Sequence, residues 1–189
     1  MRGYAFLRAS IVSLFLVLLA GGSASAGILI KINKATQRMT VSVDGVQRFN
    51  WPVSTGKPGY ATPSGRFWIF RMEKTYFSKE WDDAPMPNTL FFTPEGNAIH
   101  GTYETGRLGS AVSHGCVRLA PANAVKLFAM VKAEGGASYF SRVAEVLITG
   151  PSPGLPPGVR KPIPPGLVKQ KIRLQQVSVG EYGDWLRTR

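Results

Sequence analysis

Short stretches rich in β-branched residues alternate with turn residues along most of this chain, and this alternation constrains the fold more than any other feature. ILIKIN (28–33) and RMTVSV (38–43) each have the length and composition of a strand. Asp44-Gly45 follows, and this dipeptide favours a two-residue hairpin turn into the next strand. Further strands are predicted at 46–54, at 66–74, at 142–149 and on both sides of a turn at 94–97. Loops rich in turn residues are predicted at 56–65 and 82–89. The pattern therefore predicts a mainly β domain.

One helix interrupts this pattern. Pro121 is suited to a first helical turn, and apolar residues then recur at helical spacing at Ala124, Leu127, Phe128 and Val131. Gly135-Gly136 is expected to end the helix.

The first 26 residues have the three parts of a secretory signal peptide. Arg2 and Arg8 precede the apolar run IVSLFLVLLA (11–20), and Ala24-Ser25-Ala26 resembles a cleavage site. The apolar run is short for a membrane span, although an uncleaved anchor is the alternative. We therefore expect an exported protein that begins at Gly27, located in the periplasm or the cell wall.

The C-terminal part differs in composition from the rest. Residues 150–166 contain seven prolines and four glycines, which is typical of an extended linker. The predicted organisation is a signal peptide at 1–26, a catalytic domain at 27–150, a linker at 151–166 and a basic tail at 167–189.

The chain is strongly basic, with a formal net charge of +12. Such a charge attracts an exported protein to anionic polymers or membrane surfaces. The basic residues are dispersed and no nucleic-acid-binding motif is present, so nucleic acid is not an expected partner. No obligatory protein partner is evident.

The single cysteine, Cys116, lies close to both histidines, His100 and His114. In an oxidising compartment a lone cysteine is an inert buried residue, an intermolecular link or a reactive thiol. A histidine could take the thiol proton and return it to an amine. Gly115 allows a tight turn in which its amide and that of Cys116 could point at one oxygen and form an oxyanion hole. No histidine follows Cys116, which excludes papain-like and NlpC-type peptidases, because these have the cysteine first.

The stretch IHGTYETGRLGSAVSHGCVRL (99–119) resembles the catalytic motif of the L,D-transpeptidase family, also called YkuD-like. The family pattern is a histidine in an HGT-type sequence, a short loop, and then SHGC followed by a hydrophobic residue and Arg or Asn. The stretch at 43–69 also resembles the family's early hairpin and the sequence that follows it. The resemblance covers about residues 28–149.

The resemblance implies an exported enzyme with a mixed β-sandwich-like fold that acts on peptidoglycan stem peptides. It implies that Cys116 is the nucleophile and His100 the general base and acid, with the Gly101 carbonyl orienting the imidazole. Thr102, Ser113, His114, Gly115 and Arg118 match the motif and are expected to shape the site. Arg118 is expected to hold a substrate carboxylate or to brace the loop by an ion pair. No cofactor is expected.

Several alternatives stay open from the sequence. The same acyl-enzyme could be released to water, as in a carboxypeptidase or endopeptidase, or to a protein amine. His100, His114 and Cys116 could instead be zinc ligands. A non-catalytic wall-binding module that uses the basic tail is a third possibility.

Overall fold

The computed structural model describes residues 27–138 and 141–152. The predicted signal peptide, the predicted tail and the linker beyond residue 152 lie outside the described residues. Within the described residues no helix is both long enough and apolar enough to cross a membrane. The described residues form eleven strands, and their bounds are β1 Ile28–Asn33, β2 Arg38–Val43, β3 Val46–Pro52, β4 Gly65–Trp68, β5 Arg71–Glu73, β6 Phe77–Ser78, β7 Ala84–Pro85, β8 Thr89–Phe91, β9 Ala98–Gly101, β10 Val117–Leu119 and β11 Ala144–Thr149.

Two sheets and a small hairpin contain these strands. The first sheet has the order β3-β2-β1-β11-β4, and the second has the order β10-β9-β8-β5. The pairs β1–β11 and β9–β10 are parallel, and the other pairs are antiparallel. Strands β6 and β7 form a separate two-stranded hairpin. The mainly β prediction is therefore confirmed, with mixed sheets.

The hairpin turn between β2 and β3 has the predicted conformation. Asp44 and Gly45 have φ angles of 52° and 77°. Positive φ at both central residues matches the right-handed twist of the strands on either side, and Asp-Gly tolerates it.

The predicted helix is also present, as α1 at Pro121–Ala133. Ala124, Leu127 and Val131 are buried, and Phe128 packs against the same core. Gly135 and Gly136 both have positive φ and follow the helix end. Their amides donate to carbonyls of the last turn, which ends the helix as the sequence indicated.

The prediction of one continuous strand at 66–74 is wrong. Strand β4 ends at Trp68 and pairs with β11, whereas β5 begins at Arg71 and pairs with β8. Between them, the Ile69 amide donates to Ala144 of the first sheet and the Phe70 amide to Phe91 of the second. The chain bends here to pass from one sheet to the other, and Ile69 is fully buried at the crossing.

The predicted loop at 82–89 contains more structure than expected, since β7 lies within it and β8 begins at Thr89. Strand β7 is only two residues long and pairs with β6, which has the same length. The last strand is shorter than predicted and begins at Ala144.

One hydrophobic core joins the inner faces of both sheets and α1. It is built mainly from aliphatic side chains, among them Ile30, Ile32, Met39, Ile69, Leu90, Ile99, Leu119, Leu127 and Ile148. Helix α1 lies against β9 and β8 and covers that part of the second sheet. Strands β9 and β10 are thus supported on one face by the core, which leaves their other face for the site.

Candidate active site

Strands β9 and β10 run side by side and bring the two parts of the motif together. Their register pairs His100 with Arg118. Side chains alternate between the faces of a strand, so Cys116, two residues before Arg118, lies on the same side as His100. The intervening residues, Ile99 and Val117, point the other way and are buried in the main core. The sequence-predicted pair of Cys116 and His100 therefore lies on one face of a parallel strand pair.

These residues line a common cleft of about 360 Å³. Its walls include all but two of the predicted site residues, since Gly101 and Gly115 are absent from its lining. The lining residues are Ser78, Trp81, Asp82, Ala84, Pro85, Met86, His100, Thr102, Tyr103, Glu104, Ser113, His114, Cys116 and Arg118.

His100 is held as a neutral imidazole. It is 6% exposed, and its Nδ1 lies 2.7 Å from the Gly101 carbonyl oxygen. Because a carbonyl only accepts, Nδ1 carries the proton and Nε2 is left with a free lone pair. Burial lowers the pKa of His100 to about 4, the Gly101 hydrogen bond acts in the opposite direction, and Arg118 lowers it further. His100 is thus able to accept a proton at Nε2 at neutral pH.

Cys116 is half-buried, and its Sγ lies 3.7 Å from the Gly96 carbonyl oxygen. Burial raises the pKa of the thiol to about 11, while a hydrogen bond with the Ala98 backbone and the charge of Arg118 act in the opposite direction. The resting thiol is therefore protonated at neutral pH. A base is needed to remove its proton during attack, since the thiolate is the nucleophile.

The turn from Ser113 to Cys116 is closed by the buried Ser113 hydroxyl. Ser113 Oγ donates to the Cys116 carbonyl oxygen at 2.5 Å and accepts from the Gly115 amide at 3.1 Å. Gly115 has a φ of +121°, a conformation that side-chain-bearing residues rarely adopt.

One part of the predicted oxyanion hole is not seen. The Gly115 amide was expected to point with the Cys116 amide at a substrate oxygen, but it donates to Ser113 Oγ. The serine hydroxyl satisfies this donor within the turn. Gly115 provides the backbone conformation of the turn, and its amide donates to Ser113.

His114 is enclosed on several sides. Its ring stacks on Trp81, with centroids 3.7 Å apart and 9° between the planes, and meets the Tyr60 ring edge-on at 5.0 Å. Its Nε2 lies 2.9 Å from Lys57 Nζ. Burial, Lys57 and Arg118 lower the pKa of His114 to about 4, and Glu104 acts weakly in the opposite direction. A neutral His114 accepts the hydrogen bond that the lysine ammonium donates.

Arg118 forms an ion pair inside the cleft. Its Nη1 lies 2.8 Å from Glu104 Oε2, and its side chain is 18% exposed. Thr102 is buried nearby, and its Oγ1 accepts from the Glu104 amide at 3.2 Å. The ion pair that the sequence analysis considered for Arg118 is thus present, and it occupies one edge of the guanidinium.

Sequence reasoning did not identify the hairpin that carries Trp81. The β6–β7 segment brings Trp81 and Met86 to the cleft, and both also line a second cavity of about 500 Å³ that includes Cys116. The available signal was an aromatic residue before the turn-rich stretch at 82–89, and such residues are common in loops. Thr62 and Asn97, which contact Gly115, were also missed.

Among residues 27–138 and 141–152, no group of three or more His, Cys, Asp or Glu side chains is arranged to hold a metal ion. His100 uses Nδ1 for the Gly101 carbonyl, and the Nε2 of His114 faces Lys57. The zinc alternative is not supported at His114, whose Nε2 accepts from Lys57, whereas the Gly101 hydrogen bond leaves the Nε2 of His100 available.

Comparison of the sequence with known protein families identifies the class of protein to which this fold belongs, with Cys116 and His100 on neighbouring segments. The model of the YkuD family, the L,D-transpeptidase catalytic domain, matches residues 27–163, and the chain belongs to this family. The match extends beyond the predicted domain end at 150 into the proline-rich stretch.

The curated relatives that match this chain are named as L,D-transpeptidases. YqjB of Bacillus subtilis, assigned to that class, is 29% identical over 109 residues, which cover 51% of this chain and 62% of YqjB. The chain thus spans about three fifths of that relative's length. The solved L,D-transpeptidase of Stackebrandtia nassauensis is 30% identical with a TM-score of 0.56, and the match covers 69% of this chain and 58% of that one.

A third match shows the fold alone. The structure of LdtMt1, described as an L,D-transpeptidase in complex with imipenem, has a TM-score of 0.57 at 23% identity. It covers 65% of this chain and 59% of that chain.

Proposed function

We propose that this protein is an exported peptidoglycan L,D-transpeptidase that uses Cys116 as its nucleophile and His100 as its general base and acid. The observation that carries the proposal is the placement of both side chains on one face of β9 and β10, lining one cleft. The family assignment supports the reaction class.

The first half of the reaction forms an acyl-enzyme. The Cys116 thiol transfers its proton to His100 Nε2 as Sγ attacks the carbonyl at the L-centre of the third stem residue. A C–S bond forms, the amide C–N bond to the terminal D-alanine breaks, and the imidazolium returns the proton to the departing amine. The pKa of His100, about 4, keeps Nε2 unprotonated before attack.

The second half transfers the acyl group. The side-chain amine of a neighbouring stem attacks the thioester carbonyl, and His100 takes its proton as the new C–N bond forms. The C–S bond then breaks, and the imidazolium returns the proton to the sulfur, which regenerates the Cys116 thiol. The product is a 3–3 cross-link. The Gly101 carbonyl supports both halves, because its hydrogen bond fixes which imidazole nitrogen carries the proton.

Arg118 contributes charge to the cleft. Its guanidinium keeps donors beyond the single contact with Glu104, so it is suited to a carboxylate of the stem peptide. We propose that it holds such a carboxylate beside Cys116.

Two related outcomes use the same acyl-enzyme. Water in place of the amine gives a carboxypeptidase or endopeptidase, and a protein amine gives attachment of that protein to the wall. Digestion of isolated sacculi with the purified protein distinguishes these outcomes by mass spectrometry. New 3–3 dimers support the transpeptidase, and trimmed monomers alone support hydrolysis.

The matched control is Cys116→Ala, which should leave the sacculi unchanged while keeping the fold. Unchanged sacculi with the wild-type protein, together with no acylation by imipenem, would contradict the proposal and favour a wall-binding module.

A further inference from the structure

The carbonyl oxygen of Gly115 accepts two side-chain hydrogen bonds. Thr62 Oγ1 donates at 2.8 Å and Asn97 Nδ2 donates at 3.1 Å. Thr62 is 1% exposed and lies in the loop before β4, whereas Asn97 lies in the turn before β9. Donors from two separate segments therefore fix the direction of one carbonyl, directly before the cysteine.

Thr62 is itself fixed in place. Its Oγ1 accepts from the Gly56 amide at 2.9 Å, so its single hydroxyl proton is directed to Gly115. Its own carbonyl accepts from the buried Lys34 Nζ at 3.0 Å. The loop is tight, since a Cβ at Gly56 would lie 1.7 Å from the Tyr60 carbonyl oxygen. The hydroxyl therefore has little freedom to follow a moving carbonyl.

The direction of the Gly115 carbonyl determines that of the Cys116 amide. A peptide unit is planar, and the described residues contain no cis peptide bond, so the Cys116 N–H points away from the Gly115 oxygen. Thr62 and Asn97 thus turn this N–H away from themselves. In the part of the chain that the structure describes, the Cys116 N–H has no hydrogen-bond acceptor, whereas the Gly115 N–H is held by Ser113. A donor fixed in direction and left without a partner is suited to bind a developing negative charge.

We propose that Thr62 and Asn97 are positioning residues that hold the Gly115–Cys116 peptide so that the Cys116 N–H stabilises the oxyanion. This inference depends on the proposed function. When Sγ adds to the carbonyl carbon, the π electron pair moves onto the oxygen, and the N–H donates to that oxygen. When the tetrahedral species collapses, the pair re-forms the C=O bond and the amine leaves.

The test compares two reactions of the same thiol. Imipenem acylates by addition to a carbonyl and forms an oxyanion. Iodoacetamide alkylates by displacement of iodide and forms none. Both rates are measured by intact mass at one pH. A variant that only disturbs Cys116 slows both reactions, whereas loss of a positioned oxyanion donor slows acylation alone.

Thr62→Val removes the hydroxyl at nearly constant volume. Since loss of one oxyanion donor costs about 10²–10³-fold, we expect its misorientation to slow imipenem acylation by about 10–100-fold. The rate of alkylation should stay within about threefold of the wild-type rate, which is a much smaller change than the one expected for acylation. Thr62→Ser restores the hydroxyl and should recover most of the acylation rate. Asn97→Ala should also slow acylation more than alkylation. Because Asn97 is half-buried, this variant provides the test if Thr62→Val does not fold.

The matched control is Thr55→Val, because Thr55 is a fully buried threonine whose hydroxyl accepts from Gln37 at 2.7 Å and does not contact Gly115. It should acylate like wild type. Normal acylation of both Thr62→Val and Asn97→Ala, or equal slowing of acylation and alkylation in them, would overturn this inference alone. If wild-type protein is not acylated at all, the proposed function fails as well.

Discussion

Trp81 stacks on His114, with ring centroids 3.7 Å apart and only 9° between the planes. Lys57 donates to the Nε2 of the same imidazole, and Tyr60 meets its edge. His114 therefore has defined partners on a face, an edge and a ring nitrogen. The ring of His100, by contrast, makes its hydrogen bond at Nδ1 and has none at Nε2 among the described residues. The structure therefore separates the two histidines that lie close to Cys116 in the sequence.

Cys116→Ala should abolish acylation by imipenem and leave the fold intact. The reason is that the sulfur forms the covalent bond, whereas its removal leaves a small side chain in a half-buried position. Intact mass after incubation and the melting temperature measure the two effects. A stable adduct on the variant would contradict the assignment of Cys116 as nucleophile.

His100→Ala should slow acylation by about 10²–10⁴-fold, the usual contribution of a general base. Its residual rate should rise about tenfold per pH unit below the thiol pKa, which burial raises to about 11, because attack then depends on the free thiolate fraction. The wild-type rate should change little from pH 6 to 8, since His100 is already neutral above its pKa of about 4. Acylation rates across pH, followed by intact mass, test both slopes.

His114→Ala should be milder than His100→Ala and should retain the wild-type pH profile. It removes the partner of Trp81 and of Lys57, so we expect weaker binding or lower stability, with acylation slowed less than tenfold, below the usual effect of losing a base. Comparison of the two variants under identical conditions decides between the histidines. A normal rate for His100→Ala beside an inactive His114→Ala would show that His114 is the base.

Trp81→Ala should raise the imipenem concentration needed for half-maximal acylation and change the maximal rate less. The tryptophan forms part of the cleft wall and is attached to the domain through its stack on His114, so its loss widens the cleft. Trp81→Phe keeps a stacking ring and is the matched variant. An aromatic pair contributes about 0.5–1.5 kcal/mol, which corresponds to an expected loss of about 2- to 13-fold in affinity. Equal behaviour of the Ala and Phe variants would show that the stack has no role.

Stability should fall as the pH is lowered from about 6.5 to about 4. The pKa values of His100 and His114 are both lowered from 6.5 to about 4 in the folded protein, so the unfolded chain binds more protons in this window and stability rises with pH across it. One such group contributes at most about 1.4 kcal/mol per pH unit. His100→Asn, which keeps a donor for the Gly101 carbonyl, should reduce this slope in urea unfolding. An unchanged slope would show that His100 does not carry the effect.

Turns and helices were predictable from the sequence where interactions between residues close in the chain determine them. Asp44-Gly45 determines its turn because few residues accept positive φ, and the spacing from Ala124 to Val131 gives α1 one apolar face. His100 and Cys116 could also be predicted as candidate site residues from the sequence. The chain has a single cysteine close to both of its histidines, and the motif around them is long. The roles of these residues stay predictions.

Other features depended on contacts between distant segments. Ile69 and Phe70 lie within one strand-like stretch, yet their amides bond to different sheets, and only the packed sheets create that bend. The Gly115 amide could not be assigned from the sequence, since either Ser113 or a substrate can accept from it. The sequence by itself indicated most of the strands and the helix and singled out Cys116 and His100 as the candidate thiol and base, because these inferences depend on side-chain type and short spacing. Only the tertiary structure decided which groups surround them, because Thr62, Trp81 and Asn97 lie 19 to 54 residues before Cys116 in the chain, and no local preference places them beside its turn.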